Sequence, residues 1–164
     1  SRPSTHWTQG ITASILDAPR VSADTLSAIK HLNRLPQVMA QHLMPADHQE
    51  VLLLNQRSHV ACGSMSNVFA VIDQVLHTPG LGEGAQDGRM RARILQWAGS
   101  HGITAEDGIL TCEMAISADE LFVSNSLIGV WPIRKLGHRT PGLGPMTRQI
   151  MTSLNHPIIN RYFA

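Results

Sequence analysis

The sequence predicts one α+β domain, or an irregular α/β barrel, rather than a regular parallel sheet. Strand-like and helical runs follow one another without strict strand–helix alternation. Four short strand-like runs stand at hairpin-like intervals near the middle of the chain. The 164 residues contain no internal repeat or low-complexity tract, so we expect a single domain spanning residues 1–164.

The first quarter of the chain predicts a strand followed by a helix. "ITASIL" (11–16) is rich in β-branched and apolar residues, and "DAPRVS" should break it. "NRLPQVMAQHLM" (33–44) has apolar residues at helical spacing, with Asn33 as the N-cap. Lys30 therefore lies at a predicted strand-to-helix junction.

The middle of the chain predicts an antiparallel meander and then a helix. The strand-like runs are 50–55, 59–64, 67–72 and 75–79, separated by polar or Gly/Ser pieces. A glycine-rich loop, "LGEGAQDG" (81–88), leads into a helix over 89–103 in which Trp97 should be core. The start of a helix after such a loop is a favourable place for an anion.

The last third predicts two strands and one terminal helix. "SADELFVSNSLIGVWPIRKL" (117–136) should begin with an acidic turn containing Asp119 and Glu120, then form a strand, a polar kink at "NS" and a second strand that ends at Trp131 and Pro132. The stretch 144–163 predicts one helix. We expect Met39 and Met44 of the earlier helix to be buried.

Composition argues against several classes of function. Lys and Arg total 13 and Asp and Glu total 12, so there is no basic surplus to bind nucleic acid or anionic lipid. No apolar run approaches the roughly 20 residues that cross a bilayer. The two cysteines and nine scattered histidines form no zinc or disulfide pattern, so we expect a cytoplasmic protein without a metal site.

Lys30 is the candidate for covalent chemistry. A lysine amine attacks aldehydes when it is partly neutral, and His31 and Arg34 are close enough in sequence to lower its pKa if they are charged. On its own, a lysine at the end of a strand usually points into water. A Schiff-base lysine for pyridoxal phosphate would require a phosphate site elsewhere in the chain.

Two turns could form that phosphate site. In "GAQDGRMR" (84–91), the two glycines permit close approach and the following amides open a helix. In "SNSLIG" (124–129), serine and asparagine side chains offer donors at a strand break. Each signal is weak alone, but together with Lys30 they form a constellation.

Four stretches, in order, resemble a known family. "AIKHLNRLPQV", "GSMSNVFAV", "TPGLGEGAQDGRMR" and "ADELFVSNSLIGVWPI" are similar to the class IV pyridoxal-phosphate enzymes, which include branched-chain and D-amino acid aminotransferases and 4-amino-4-deoxychorismate lyases. "KHLNRL" and "NSLIGVWP" most resemble the lyases. The resemblance implies a fold-type IV large domain, an irregular α/β pseudo-barrel with an antiparallel meander.

The resemblance also implies the roles of individual residues. Lys30 would be the Schiff-base lysine, and Asn67 would follow the strand beneath the pyridine ring. Two turns would form the phosphate site, Gly88, Arg89 and Met90 in one and Asn125, Ser126 and Leu127 in the other. The amides of Arg89, Met90 and Leu127, together with Ser126, would bind the phosphate. The family implies homodimers acting on small molecules, in which this sequence is the C-terminal domain. The N-terminal small domain, with an arginine that usually binds the phosphate, would be absent.

Cys62 departs from the family pattern. Where relatives read "EGSSSN", this chain reads "CGSMSN", so a thiol takes the place of the glutamate that faces the pyridine nitrogen. A neutral thiol is a weak partner for that nitrogen, and we expect the ring to be less protonated. A small buried apolar residue is the simpler interpretation of Cys62, and a thiolate the less favoured one.

The expected function of the parent protein is conversion of 4-amino-4-deoxychorismate into 4-aminobenzoate and pyruvate, a step of folate synthesis. Lys30 would act as general base and acid. An aminotransferase of the D-amino acid or branched-chain type would use the same lysine and phosphate site. A non-catalytic domain or a fragment without turnover is the alternative of another class.

Overall fold

The computed structural model describes residues 2–24, 26–29 and 31–163. The strands of this part are β1 (Ile11–Val21), β2 (Glu50–Asn55), β3 (Val60–Gly63), β4 (Asn67–Ile72), β5 (Val75–Pro79), β6 (Ala105–Gly108), β7 (Glu120–Asn125) and β8 (Gly129–Leu136). The helices are α1 (Thr5–Thr8), α2 (Leu35–Leu43), α3 (Arg89–Ser100), α4 (Cys112–Ser117), α5 (Pro145–Ser153) and α6 (Pro157–Phe163), with a 3-10 turn at Leu81–Glu83.

The strands form a curled half-barrel. Their order is β3-β2-β1-β8-β7-β4-β5-β6. In a flat sheet, β3 and β4 would be five strand spacings apart, about 24 Å. The link between them is residues 64–66, which reaches only about 14 Å when extended. The sheet must therefore curl, and the predicted α+β pseudo-barrel is confirmed.

The antiparallel run over 50–79 consists of two hairpins. β2 pairs with β3 and β4 pairs with β5, both antiparallel. The next partner of β4 is β7, whereas β2 pairs in parallel with β1. The central position of β1, parallel to both β2 and β8, was not predicted.

The first strand and helix differ in detail from expectation. β1 runs on to Val21 because a register shift after Leu16 absorbs the expected break, and Val21 still pairs with Asn55. The N-cap of α2 is Arg34, not Asn33, and no side chain caps the helix.

Two predictions for the last third of the chain are wrong. The terminal helix is divided into α5 and α6, because Asn155 takes a left-handed conformation with φ 47° and Pro157 begins a new helix. Glu120 is not part of an exposed acidic turn but is 4% exposed at the start of β7. Its carboxylate accepts bonds from the amide of Met146 and from the amide and hydroxyl of Thr147, which anchors α5.

The core lies on both faces of the sheet. Leu52 and Leu54 of β2 face a large cluster that includes Trp97, as predicted, and the stacked rings of Phe69 and Phe122. The other face of β2 packs under α2 in a smaller cluster. No helix in the described ranges is long and apolar enough to cross a membrane.

The apolar face of α2 is largely exposed. Met39 is 43% exposed, so its predicted burial is wrong, whereas Met44 is partly buried against the smaller cluster. Exposed apolar side chains also precede the helix. Leu26, Ile29 and Leu32 lie before it, and Leu35, Val38 and Leu43 lie in it; together with Met39 we call them the apolar patch.

Candidate functional site

A cavity of about 410 Å³ lies where three turns of the chain meet. These are the β3–β4 link, the segment leading into α3, and the β7–β8 turn. The predicted site residues that line it are Asn67, Gly88, Arg89, Met90, Asn125, Ser126 and Leu127. The fold thus brings the two predicted turns to one cavity of a size that accommodates a small ligand or cofactor.

The N-terminus of α3 faces this cavity. Gly88 is the N-cap, and Arg89 and Met90 are the first two helical residues. Amides in the first turn have no partner within the helix and carry the positive end of its dipole. This end of the cavity is therefore suited to an anionic group such as a phosphate.

Asn67 fixes that N-terminus from the side. Its Nδ2 donates to the carbonyl of Gln86 at 2.9 Å. A Cβ at position 88 would lie 2.4 Å from Oδ1 of Asn67, so only glycine permits this close approach. Asn67 shapes the backbone that enters α3, and its predicted place beneath a cofactor ring stays a prediction.

The β7–β8 turn is built by Asn125. Its Oδ1 accepts from the amides of Leu127 (2.8 Å) and Ile128 (2.9 Å), and its Nδ2 donates to the carbonyl of Met65 (3.0 Å). The predicted phosphate donor at Leu127 is therefore engaged with Asn125 in this structure, because the turn closes on that side chain. Ser126, which is exposed, stays a predicted phosphate ligand.

The charged side chains around the cavity favour an anion. Among the described residues that line it, Arg2, Arg34 and Arg89 stand against one carboxylate, that of Asp87. The guanidinium of Arg2 also lies over the ring of Trp131, 5.2 Å from its centroid. Among the described residues, no group of three His, Cys, Asp or Glu side chains could hold a metal ion.

Cys62 does not line the described cavity. It is 4% exposed and packs in the smaller cluster with Ala40 of α2 and Val51 and Leu53 of β2. Burial raises the pKa of its thiol to about 12, the negative charge of Glu50 adds to this, and Arg34 opposes it. The thiol stays neutral, so the interpretation as a small buried residue is favoured over contact with a cofactor.

Glu50 is a site feature that sequence reasoning missed. It is fully buried at the start of β2, and its carboxylate binds two serines of the β3–β4 link. An acidic residue at the head of an apolar strand looks like a boundary residue in the sequence. Its partners are 14 and 16 residues away, so no local signal reveals them.

Lys30, the predicted Schiff-base lysine, lies outside the described residues. Ala28 and Arg34, on either side of it in the sequence, both line the cavity. The carbonyl of Ala28 also accepts from the amide of Asp87 at 3.0 Å, which ties this segment to the loop before α3. The role of Lys30 stays a prediction.

The residues present fit a phosphate-bearing cofactor at one end of the cavity. The helix N-terminus, the glycine at position 88 and the lining arginines are the groups that a phosphate dianion requires. Two predicted contacts differ: the amide of Leu127 is bonded to Asn125, and Cys62 packs on the α2 side of the sheet.

Comparisons with known proteins identify the family of this chain. The class IV aminotransferase family profile matches residues 1–136. An aminodeoxychorismate lyase of Vibrio harveyi is 32% identical over 137 residues, 79% of this chain and 50% of that protein. A probable branched-chain aminotransferase of Thermotoga maritima is 30% identical over 155 residues, covering 92% of this chain and 56% of that protein.

Solved structures give the same result. A 4-amino-4-deoxychorismate lyase from Pseudomonas aeruginosa matches with a TM-score of 0.87 and 34% identity, over 93% of this chain and 57% of that one. A branched-chain aminotransferase from Escherichia coli matches with a TM-score of 0.84 and 26% identity, over 93% of this chain and 52% of that one. The chain thus spans about half the length of these relatives. It belongs to the class IV aminotransferase family, whose members are pyridoxal-phosphate-dependent enzymes.

Proposed function

We propose that this chain is the cofactor-binding part of a pyridoxal-phosphate-dependent lyase that converts 4-amino-4-deoxychorismate into 4-aminobenzoate and pyruvate. The observation that carries the proposal is the meeting of residues 88–90 and 125–127 at one arginine-lined cavity. The lyase-like "KHLNRL" and "NSLIGVWP" motifs support this reaction over transamination.

The chain's own residues would divide the work as follows. The first-turn amides of Arg89 and Met90 and the hydroxyl of Ser126 bind the phosphate. Lys30 would bind the cofactor covalently and, as a free amine, would move protons as base and acid. When bound, pyridoxal phosphate supplies an aldehyde that captures the substrate amine and a ring that withdraws electrons from it.

Two lysines make the covalent assignment testable. The chain contains Lys30 and Lys135, and Lys135 is exposed on β8. Purified chain incubated with pyridoxal phosphate should develop visible absorption, and borohydride reduction should add the cofactor's mass to the peptide that carries Lys30. Lys30→Ala should abolish both signals, and Lys135→Ala should retain them. A label on Lys135 alone, or a visible band that survives in Lys30→Ala, would contradict the proposal.

An aminotransferase is the second candidate, and its support is specific. Branched-chain and D-alanine aminotransferases match at 30% and 29% identity, nearly as high as the lyase. Release of 4-aminobenzoate and pyruvate from aminodeoxychorismate, compared with amino transfer to 2-oxoglutarate, separates the two. If the chain binds no cofactor, the non-catalytic alternative stands instead.

We also propose that the protein is a homodimer, as the family resemblance implies. The apolar patch supports this, because seven exposed apolar side chains between residues 26 and 43 are costly to leave in water. Sedimentation of the chain, with Leu32→Glu at a fully exposed position of the patch as a comparison, tests it. A monomeric wild-type chain at high concentration would contradict the proposal.

A further inference from the structure

Glu50 is a fully buried carboxylate beside the candidate site. Its Oε1 accepts from the amide of Val51 (3.0 Å) and from the amide (2.9 Å) and hydroxyl (2.5 Å) of Ser64. Its Oε2 accepts from the hydroxyl of Ser66 at 2.6 Å. Glu50 is the acceptor in all four bonds, which is the pattern that an ionised carboxylate offers.

The two serines stand in different places. Ser64 is 2% exposed and lies behind the wall of the cavity, whereas Ser66 is 8% exposed and lines it. A hydroxyl has one proton to donate and two lone pairs to accept with. Because Ser66 gives its proton to Glu50, its oxygen can only accept a hydrogen bond from a molecule in the cavity.

Gly63 makes room for this pair. A Cβ at position 63 would lie 2.2 Å from Oγ of Ser66 and 2.8 Å from Oε2 of Glu50. The amide of Gly63 also donates to the carbonyl of Ser66 at 2.8 Å, which closes the turn. The β3–β4 link is therefore shaped to hold one hydroxyl between a buried carboxylate and the cavity.

Two charged side chains, Arg34 and Asp87, line the same cavity as Ser66. Arg34 donates to the carbonyl of Ser64 at 3.1 Å and lines the cavity, and Asp87 lines it from the segment before α3. Cys62 of β3 lies opposite Leu53 of β2, packs on the α2 side of the sheet and stays neutral. The charge of Glu50 therefore acts on the β3–β4 wall of the cavity through the hydroxyl of Ser66.

We propose that Glu50 is a positioning residue that makes Ser66 Oγ a hydrogen-bond acceptor for a protonated nitrogen of the bound cofactor. This rests on the proposed function, since it requires pyridoxal phosphate in this cavity. Glu50 would thereby stabilise positive charge on that nitrogen from β2, through the hydroxyl of Ser66.

The test is the pH dependence of the visible absorption of pyridoxal phosphate bound to the full chain. We expect Ser66→Ala and Glu50→Gln to lower the midpoint of the transition from the protonated to the deprotonated form by about one pH unit, because a negative charge at hydrogen-bond range favours the protonated form. Ser64→Ala loses a bond to the same carboxylate but lies behind the wall, so its midpoint should match the wild type.

Glu120→Gln is the control for removing a buried carboxylate. Glu120 also accepts three hydrogen bonds, but it lies at the opposite end of β7 from Asn125, roughly 17 Å away. Thermal unfolding of each variant reports structural damage separately. If Glu50→Gln does not fold, the difference in midpoint between Ser66→Ala and Ser64→Ala still tests the proposed role of Glu50.

The outcomes separate the two claims. A Ser66→Ala midpoint equal to that of Ser64→Ala and wild type overturns the role of Glu50 while leaving the proposed function in place. A wild-type chain without saturable binding of pyridoxal phosphate overturns the proposed function, and the role of Glu50 with it.

Discussion

Replacing Gly88 with alanine should show how tightly the candidate site is built. The new Cβ would lie 2.4 Å from Oδ1 of Asn67, and Cβ contacts below 3.0 Å require something to move, here by at least 0.6 Å. Asn67 is 6% exposed and bound to the carbonyl of Gln86, so it cannot swing away freely. The backbone at position 88 (φ −84°, ψ 136°) accepts any residue, so the clash alone sets the effect.

We expect Gly88→Ala to lower the free energy of unfolding by about 1 to 3 kcal/mol, from overpacking and a weakened hydrogen bond. Urea denaturation measures this. Gly99→Ala in the same helix is the matched control, because a Cβ there has nothing within 4 Å. It should stabilise the fold by roughly 0.5 to 1 kcal/mol, since alanine is the better helix former.

A double mutant tests the stated cause. In the Asn67→Ala background the obstructing Oδ1 is gone, so Gly88→Ala should lower the free energy of unfolding by at least about 1 kcal/mol less than it does in the wild type. A coupling of this size is typical of side chains in contact. Equal stability of Gly88→Ala and Gly99→Ala, or no coupling to Asn67, would refute the reasoning.

Three further predictions concern residues outside the cavity. Glu120→Ala removes the acceptor of three bonds to the start of α5 and should lower the free energy of unfolding by roughly 3 kcal/mol in urea titration; no change would mean that α5 is anchored elsewhere. Since the pKa of Cys62 is raised to about 12, iodoacetamide at mildly alkaline pH should modify Cys112 first, with Cys62 reacting only after unfolding, as peptide mass mapping would show. Partial burial raises the pKa of Glu83, but hydrogen bonds from His59 and two neighbours outweigh this and hold it below its usual range. At pH values above the usual pKa of a glutamate, ionised Glu83 therefore stabilises the fold, and this stabilisation is lost as the pH falls through the lowered pKa. The difference in melting temperature between wild type and Glu83→Gln should accordingly narrow in acid.

Local sequence signals were enough to predict much of the fold. β2, β4, β5, β7 and α3 each carry their own periodicity and turn residues, and the structure has them within a few residues of the expected bounds. β8 was also predicted, but it continues past its expected end at Pro132 to Leu136. The two turns of the candidate site were also visible, because Gly88 and the Asn125–Ser126 pair are turn and donor residues whatever surrounds them.

What the sequence could not show depends on distant partners. Glu120 looks like an exposed acid until α5, 26 residues later, places Met146 and Thr147 on it. Glu50 likewise depends on a turn formed by another strand. The periodicity of α2 predicts an apolar face but not which residues cover that face, so it could not predict that Met39 is exposed.

The central place of β1 governs how this chain must assemble. Its residue Ile11 lies in register with Ile133 of β8, while Ile15 lies opposite Leu52 of β2. The β1–β2 pairing can form as soon as β2 has been synthesised, but the β1–β8 pairing needs a strand that follows more than a hundred residues later. Until β8 is present, the apolar edge of β1 is unpaired and can pair with strands of other chains. A chain that ends before residue 129 should therefore form aggregates rather than a smaller folded unit.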